Sequence, residues 1–289
     1  MKTLRGFSLV ILCAVVLLGS ARAQQNVPLS QNAALRYWGA FSEMQDSAIT
    51  DQQATELNAI LDGTAPYSDL KYRDLVEKNR LAVEVMARGT TIPSCDWGLD
   101  YALGSDTPVE YVRKALTLGR LNVLYAFHLL QNGNKDGAVR VIAAGVRFSH
   151  DVAIGGSLFA TLAAKSLLIA HFKLIAGAEH LEHLSAAQKS ELQQALNSLG
   201  QDGLDWQSGV RREYEIRHPG LDARASSAWA QIAAAYQSAI NDPSELPKLQ
   251  QMIASAPQPV QNLISNPKRI LDAKQDLTDQ LRQIRSLLQ

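Results

Sequence analysis

The sequence is poor in cysteine. Of its two cysteines, Cys13 lies in an N-terminal apolar run that we interpret as part of a signal peptide, so the mature chain keeps only Cys95. An intramolecular disulfide is therefore excluded, and the fold depends on its core. We interpret Cys95 as a small buried thiol; the alternatives are a nucleophile and an intermolecular bridge.

The sequence has no excess charge of either sign and no recognised catalytic motif. It contains 28 basic and 28 acidic residues, and loss of three basic residues with the signal peptide leaves a net charge of about −3. This balance argues against nucleic acid as a partner. A phosphate loop, a dinucleotide fingerprint, a nucleophile elbow, a zinc helix and a calcium loop are all absent from the sequence. No cofactor is therefore expected, and nothing argues specifically for an enzyme.

The alternation of apolar and polar residues that marks a strand is also missing, whereas helical periodicity runs from residue 30 to the C-terminus. With 46% apolar and 19% charged residues the chain can bury a core, which excludes the disordered, collagen-like and disulfide-scaffold classes. The sequence predicts an all-α protein, with antiparallel helical hairpins packed as an α-solenoid-like or irregular helical bundle.

The N-terminus has the three parts of a signal peptide. Lys2 and Arg5 provide the positive region, residues 7–18 the apolar region, and residues 19–23 end in a small-x-small cleavage pattern. The apolar run is shorter than the roughly 20 residues that a membrane span needs, so we expect cleavage before Gln24 rather than a retained anchor. The sequence thus predicts an exported protein, periplasmic or secreted, with no transmembrane segment after cleavage.

Helix caps and breakers divide the chain into segments. The predicted segments are the signal peptide at 1–23, an N-terminal helical unit at 24–89, a connecting loop at 90–107, a main helical domain at 108–266 and a C-terminal amphipathic helix at 267–289. In the connecting loop, Trp97 and Tyr101 either form the wall of a ligand site or attach the loop to the core.

A helical hairpin is predicted on either side of a break at residues 132–134. Gly133 would end the first helix, and Ala126, Ala138 and Gly145 are small residues where the two helices would approach each other. In this spacing residues 119–152 resemble a tetratricopeptide-type repeat, with Asn122 where an aromatic residue is usual and His150 where a proline would end the second helix. The resemblance implies α-solenoid-like local packing, and folds of that kind are usually binding scaffolds.

Histidines are the natural candidates for chemistry. The candidate metal ligands are His128, His150, Asp151, His171, His180 and His183. The first four lie on successive predicted helices and could meet in a bundle core, whereas the last two share one helix face and supply only two of the ligands that a metal site needs. The simpler interpretation of both sets is polar residues of helix ends and connections.

Residues 206–218 concentrate arginine and glutamate. Helical spacing predicts two ion pairs, Arg211 with Glu215 and Glu213 with Arg217, on a solvated face. The alternative is that the arginines bind a carboxylate or a phosphate group.

The C-terminal helix repeats apolar residues with a period of seven, at Ile270, Leu277 and Ile284. It would either dock on its own domain or pair with a second chain as a short coiled coil. We expect an exported scaffold that binds a protein or peptide partner. The alternatives are an all-α extracytoplasmic enzyme or metal-binding protein that uses the histidines, and a structural component of the cell envelope that assembles through residues 267–289.

Overall fold

The computed structural model describes residues 31–45, 49–107, 109–177, 184–216 and 220–289. Within these ranges the chain is helical apart from turns, loops and an isolated β-bridge between Asn32 and Ser94, which confirms the all-α prediction. The α-helices are α1 Ala33–Glu43, α2 Asp51–Leu61, α3 Asp69–Gly89, α4 Glu110–Gln131, α5 Lys135–Ala153, α6 Leu158–Gly177, α7 Ala186–Asn197, α8 Trp206–Ile216, α9 Ala223–Asn241, α10 Leu246–Ser255, α11 Gln258–Leu263 and α12 Pro267–Leu287. A 3-10 helix, Tyr101–Asp106, lies in the predicted connecting loop.

The predicted hairpin is confirmed as α4 and α5, and a tight turn joins the two helices. Gly133 has a φ of 75°, a left-handed conformation that favours glycine. The amide of Gly133 donates to the carbonyl of Leu130 (3.0 Å) and that of Asn134 to the carbonyl of Leu129 (2.9 Å), which satisfies the last carbonyls of α4. Oδ1 of Asn134 then accepts from the amide of Gly137 and caps α5.

Helix α6 is the centre of the fold, in contact with α4, α5, α8 and α12. Among the described residues it is the one helix long and apolar enough to cross a membrane, and 61% of its most apolar stretch is buried inside the protein. Apolar residues on nearly every face are what a helix surrounded by other helices needs, so this packing explains its composition.

The N-terminal helix α1 packs on α3 and is fixed to the connecting loop at its first residues. The amide of Ala33 donates to the carbonyl of Ser94 (2.8 Å). The side chain of Asn32 both donates to the carbonyl of Asp96 (2.8 Å) and accepts from its amide (2.9 Å). These bonds attach the loop to the first helix as well as to the core.

The C-terminal helix α12 docks on its own chain, against α6, α7 and α10. The residues of its seven-residue repeat, Ile270, Leu277 and Ile284, are all buried there. Nη2 of Arg285 donates to the carbonyls of Leu196 and Gly200 (2.8 Å each), at the C-terminal end of α7. The apolar seam of α12 is therefore used within the chain, and contact with a second chain would need another face of the helix.

Candidate functional site

An open groove of about 950 Å³ lies between the 3-10 helix, α8 and α9, and we call it the α8–α9 groove. Its volume falls in the range of ligand-binding clefts. The lining residues are Tyr101, Ala102, Gln207, Arg211, Arg212, Tyr214, Glu215, Trp229, Ala230, Ala233, Ala234, Gln237, Ser238 and Asn241.

The floor of the groove consists of small side chains on one face of α9. Ala230, Ala233 and Ala234 point towards the open space, and the first and last of these are exposed. Beside these alanines Trp229 is buried, its ring centre 4.3 Å from that of Tyr214, and its Nε1 donates to the Tyr214 carbonyl (3.2 Å). The aromatic pair joins α9 to α8, while the alanines leave the volume above them free.

One side of the groove is built around Tyr101. The guanidinium of Arg212 lies 4.7 Å from the centre of the Tyr101 ring, a cation–π contact, and its Nη1 forms an ion pair with Oε2 of Glu215 at 2.5 Å. The hydroxyl of Tyr101 donates to the carbonyl of Gly155. Burial raises the pKa of Tyr101 to about 12, although Arg212 acts in the opposite direction. Tyr101 is therefore a neutral, fixed wall of the groove and not a base.

The predicted ion pair between Arg211 and Glu215 is wrong, because Glu215 pairs with Arg212 instead. A spacing of three residues brings that pair together on α8 as readily as a spacing of four. Nη2 of Arg211 donates to Oγ of Ser208 (3.2 Å), and within the described residues no carboxylate lies within ion-pair distance of this exposed guanidinium. The other predicted pair includes Arg217, which lies outside the described residues.

Aromatic residues attach the connecting loop to the C-terminal end of α5, where the last carbonyls of a helix lack partners. Nε1 of Trp97, in the loop, donates to the carbonyl of Asp151 (2.9 Å), and the hydroxyl of Tyr111, on α4, donates to the carbonyl of Val152 (3.2 Å). Trp97 and Tyr111 also stack, with ring centres 4.3 Å apart. Trp97 and Tyr101 thus both attach the loop to the core, and Tyr101 also lines the groove.

The histidines that fall within the described residues have separate partners. Nδ1 of His128 lies 2.6 Å from Oδ1 of Asp69 on α3. Nδ1 of His150 lies 3.6 Å from Oδ1 of its neighbour Asp151, whose other carboxylate oxygen accepts from the hydroxyl of Tyr37. No hydrogen bond or ion pair links one of these histidines to another in the described part of the chain. His180 and His183 lie outside it.

His171 is enclosed in the core. Its Nδ1 lies 2.7 Å from the carbonyl of Leu167 and its Nε2 lies 2.8 Å from Oδ1 of Asn122. Burial lowers the pKa of His171 to about 4, so the ring is neutral at pH 7. Both ring nitrogens face oxygen atoms of the protein, and a neutral ring, with one N–H, donates to one of the two. Neither nitrogen is open to a metal ion. Over the described residues, no three histidine, cysteine, aspartate or glutamate side chains are grouped so that they could hold one.

Cys95 has the environment of a structural thiol. Its Sγ lies 3.7 Å from the carbonyl of Asp151, and burial, with a further contribution from the Asp151 carboxylate, raises the pKa of the thiol. A nucleophilic cysteine needs the opposite shift, towards the thiolate. The interpretation of Cys95 as a small buried thiol is therefore favoured over a nucleophile.

Comparisons with known proteins find no matching family model, no matching curated protein and no matching solved structure. The groove itself was missed by sequence reasoning, which treated α9 as an ordinary helix. The available signal was the run of alanines at 233–235 with Ala230 one turn earlier, since these leave one helix face without large side chains.

Proposed function

We propose that the protein is an exported helical binding protein that holds a short peptide, with a carboxylate group, in the α8–α9 groove. The observation that carries this proposal is a groove of about 950 Å³ with Arg211 exposed in its wall and no carboxylate partner for that arginine among the described residues. A guanidinium binds a carboxylate through two parallel hydrogen bonds.

The character of the groove favours a peptide. Gln207, Gln237 and Asn241 place amide groups along it, and amides both donate and accept hydrogen bonds, as a peptide backbone does. The alanine floor allows a backbone to approach α9 closely. The Arg212–Glu215 pair and Tyr101 already hold one another, so they provide a firm wall rather than a flexible one.

Export is part of the same proposal and rests on the signal-peptide pattern of residues 1–23. Expression of the full sequence in a bacterium that secretes proteins should yield a mature chain that begins at Gln24, and mass spectrometry of the purified protein would establish this. Recovery of the uncleaved chain in the membrane fraction would contradict it.

Peptide binding can be tested by selection of short random peptides displayed on phage, followed by calorimetry with the synthetic peptides that are enriched. We expect the enriched sequences to contain an acidic residue that Arg211 can bind. Arg211→Gln should weaken their binding about tenfold or more. Ala234→Trp should weaken it strongly, because the indole would cover the alanine floor on which the peptide is proposed to lie.

Arg224→Gln is the matched control, since Arg224 is an exposed arginine of α9 that does not line the groove. Its loss changes the net charge by the same amount and should leave binding unchanged. If the Ala234→Trp variant enriches the same peptides as the wild-type protein, the groove is not the binding site and the proposal fails.

A further inference from the structure

A second cavity, of about 520 Å³, lies between α2, α6 and α12, and we call it the α2–α12 cleft. It shares no lining residue with the α8–α9 groove. Its base is a face of α6 that includes Leu162 and Ile169, and its walls come from α2 and α12. The cleft thus lies where an N-terminal helix and the C-terminal helix both border the central helix α6, and it is large enough for a small ligand.

The cleft carries an excess of positive charge. Lys165 and Lys173 contribute two cations from α6, and Arg269 contributes a third from α12. Among the described residues that line the cleft, Asp62 is the one carboxylate. Lysine and arginine stay protonated at neutral pH. Because Asp62 pairs with Lys173 and Asp276 of α12 pairs with Lys165, one positive charge, that of Arg269, is left uncompensated.

The cations differ in how firmly they are held. Nζ of Lys165 lies 2.6 Å from Oδ2 of Asp276 on α12, and its side chain is only 17% exposed, so this pair forms a fixed end of the cleft. Lys173 pairs with Asp62, but these side chains are 39% and 48% exposed. Exposed pairs of this kind contribute little to stability, so Lys173 can exchange its partner for a ligand readily.

Arg269 is the cation of the cleft whose side chain has no partner among the described residues. Its backbone amide is 3.4 Å from Oδ1 of Asn266, which caps α12, but within the described part of the chain its guanidinium has no hydrogen bond or ion pair. The side chain is exposed at the edge of the cleft. A guanidinium without a carboxylate partner retains its full capacity for a two-pronged bond to an anion.

We propose that the α2–α12 cleft binds a small dianion, either a phosphate or a dicarboxylate, between Arg269 and Lys173. A dianion can bind the uncompensated guanidinium of Arg269 and, in place of Asp62, the ammonium group of Lys173. The amide of Asn58 and the hydroxyl of Ser166 provide neutral donors in the same cleft. The bound anion connects α6 to α12 and competes with Asp62 for Lys173. Because it binds only the folded chain, it stabilises the docking of the C-terminal helix.

The test is calorimetry of the mature protein with inorganic phosphate in one arm and succinate in the other, each against sodium chloride at the same ionic strength. We expect saturable one-to-one binding of at least one of the two, and a rise in Tm with its concentration. Arg269→Gln should weaken this binding about tenfold or more. The variant should fold normally, as checked by circular dichroism, because the side chain it changes is exposed.

Lys268→Gln is the matched control. Lys268 is the neighbour of Arg269, is exposed, pairs with Asp272 (2.6 Å) and does not line the cleft, so its loss removes the same charge and should leave binding unchanged. Binding of phosphate alone or of succinate alone supports the proposal and identifies the class of anion. Absence of saturable binding in both arms, or equal weakening by Lys268→Gln and Arg269→Gln, overturns it. Arg211→Gln should have no effect in this experiment, because Arg211 does not line the cleft. The test of this proposal is therefore independent of the test of the α8–α9 groove.

Discussion

Where α4, α5 and α6 cross, glycines make space that neighbouring side chains fill, whereas in the α8–α9 groove alanines make space that stays open. A Cβ atom added at Gly119 would lie 2.5 Å from Leu167, and one added at Gly145 would lie 2.0 Å from Nε2 of His171. In the groove, Ala230 and Ala234 are exposed. Small residues therefore have opposite consequences in the two regions.

Polar groups show the same contrast. At the crossing, Asn122 and His171 are fully buried and bonded to each other, and Nδ2 of Asn122 also donates to the carbonyl of Val141 (3.1 Å). At the groove, Arg211 and Asn241 face solvent. Buried polar groups that bond within the chain specify how helices pack, whereas polar groups beside an open volume are available to a ligand. The groove is thus the better place to look for function.

The largest effect that separates the two regions is expected from Gly145→Ala. The new methyl group would overlap Nε2 of His171 and Oδ1 of Asn122, 2.0 and 2.3 Å away, and force apart a buried hydrogen bond. Overpacking and the broken bond together outweigh the better helix propensity of alanine, and we expect a loss of about 3 kcal/mol in the free energy of unfolding. Urea denaturation of both proteins measures it.

Gly177→Ala is the matched control for that variant. Gly177 ends α6, and a Cβ atom added there would meet no packed neighbour within 4 Å among the residues that the structure describes. Its replacement should change the free energy of unfolding by no more than about 0.5 kcal/mol. Equal effects of the two substitutions would show that the crossing is not as closely packed as the distances imply.

A second effect, comparable in size over its whole pH range, is expected from the titration of His171. Burial lowers its pKa to about 4 in the folded protein, whereas the unfolded chain has the ordinary value of about 6.5. The unfolded state therefore binds the proton more readily, and stability falls as the pH drops from about 6.5 towards 4, by up to about 1.4 kcal/mol per pH unit. Above that window the contribution is constant.

The comparison of wild type with His171→Gln isolates this contribution. The variant lacks the titrating group, so its stability should fall less steeply between about pH 6.5 and 4. Urea denaturation over that interval gives the two slopes. Parallel slopes would mean that His171 takes up its proton in the folded protein as easily as in the unfolded chain, which the enclosed site at the crossing does not allow.

Local signals in the sequence were sufficient to predict the packed hairpin of α4 and α5, but they were insufficient to predict the open α8–α9 groove. The break at residues 132–134 and the small residue at Gly145 predicted the hairpin, because a turn and a close helix crossing depend on nearby residues. The groove depends on how α8, α9 and the 3-10 helix meet, and no local pattern encodes that. Arg212, which pairs with Glu215 in place of Arg211, likewise contacts Tyr101, a residue far away in sequence.

The smallest effect on stability is expected from Ala234→Leu, which adds a larger side chain to the floor of the groove. Since Ala234 is exposed there, the free energy of unfolding should change by less than about 0.5 kcal/mol. The matched variant at the crossing is Ala126→Leu, where the alanine is fully buried on α4 and the larger side chain should destabilise the protein by about 1 to 3 kcal/mol. Urea denaturation of both variants measures the difference. A loss at Ala234 as large as at Ala126 would mean that the groove closes over α9 in solution and has no room for a ligand.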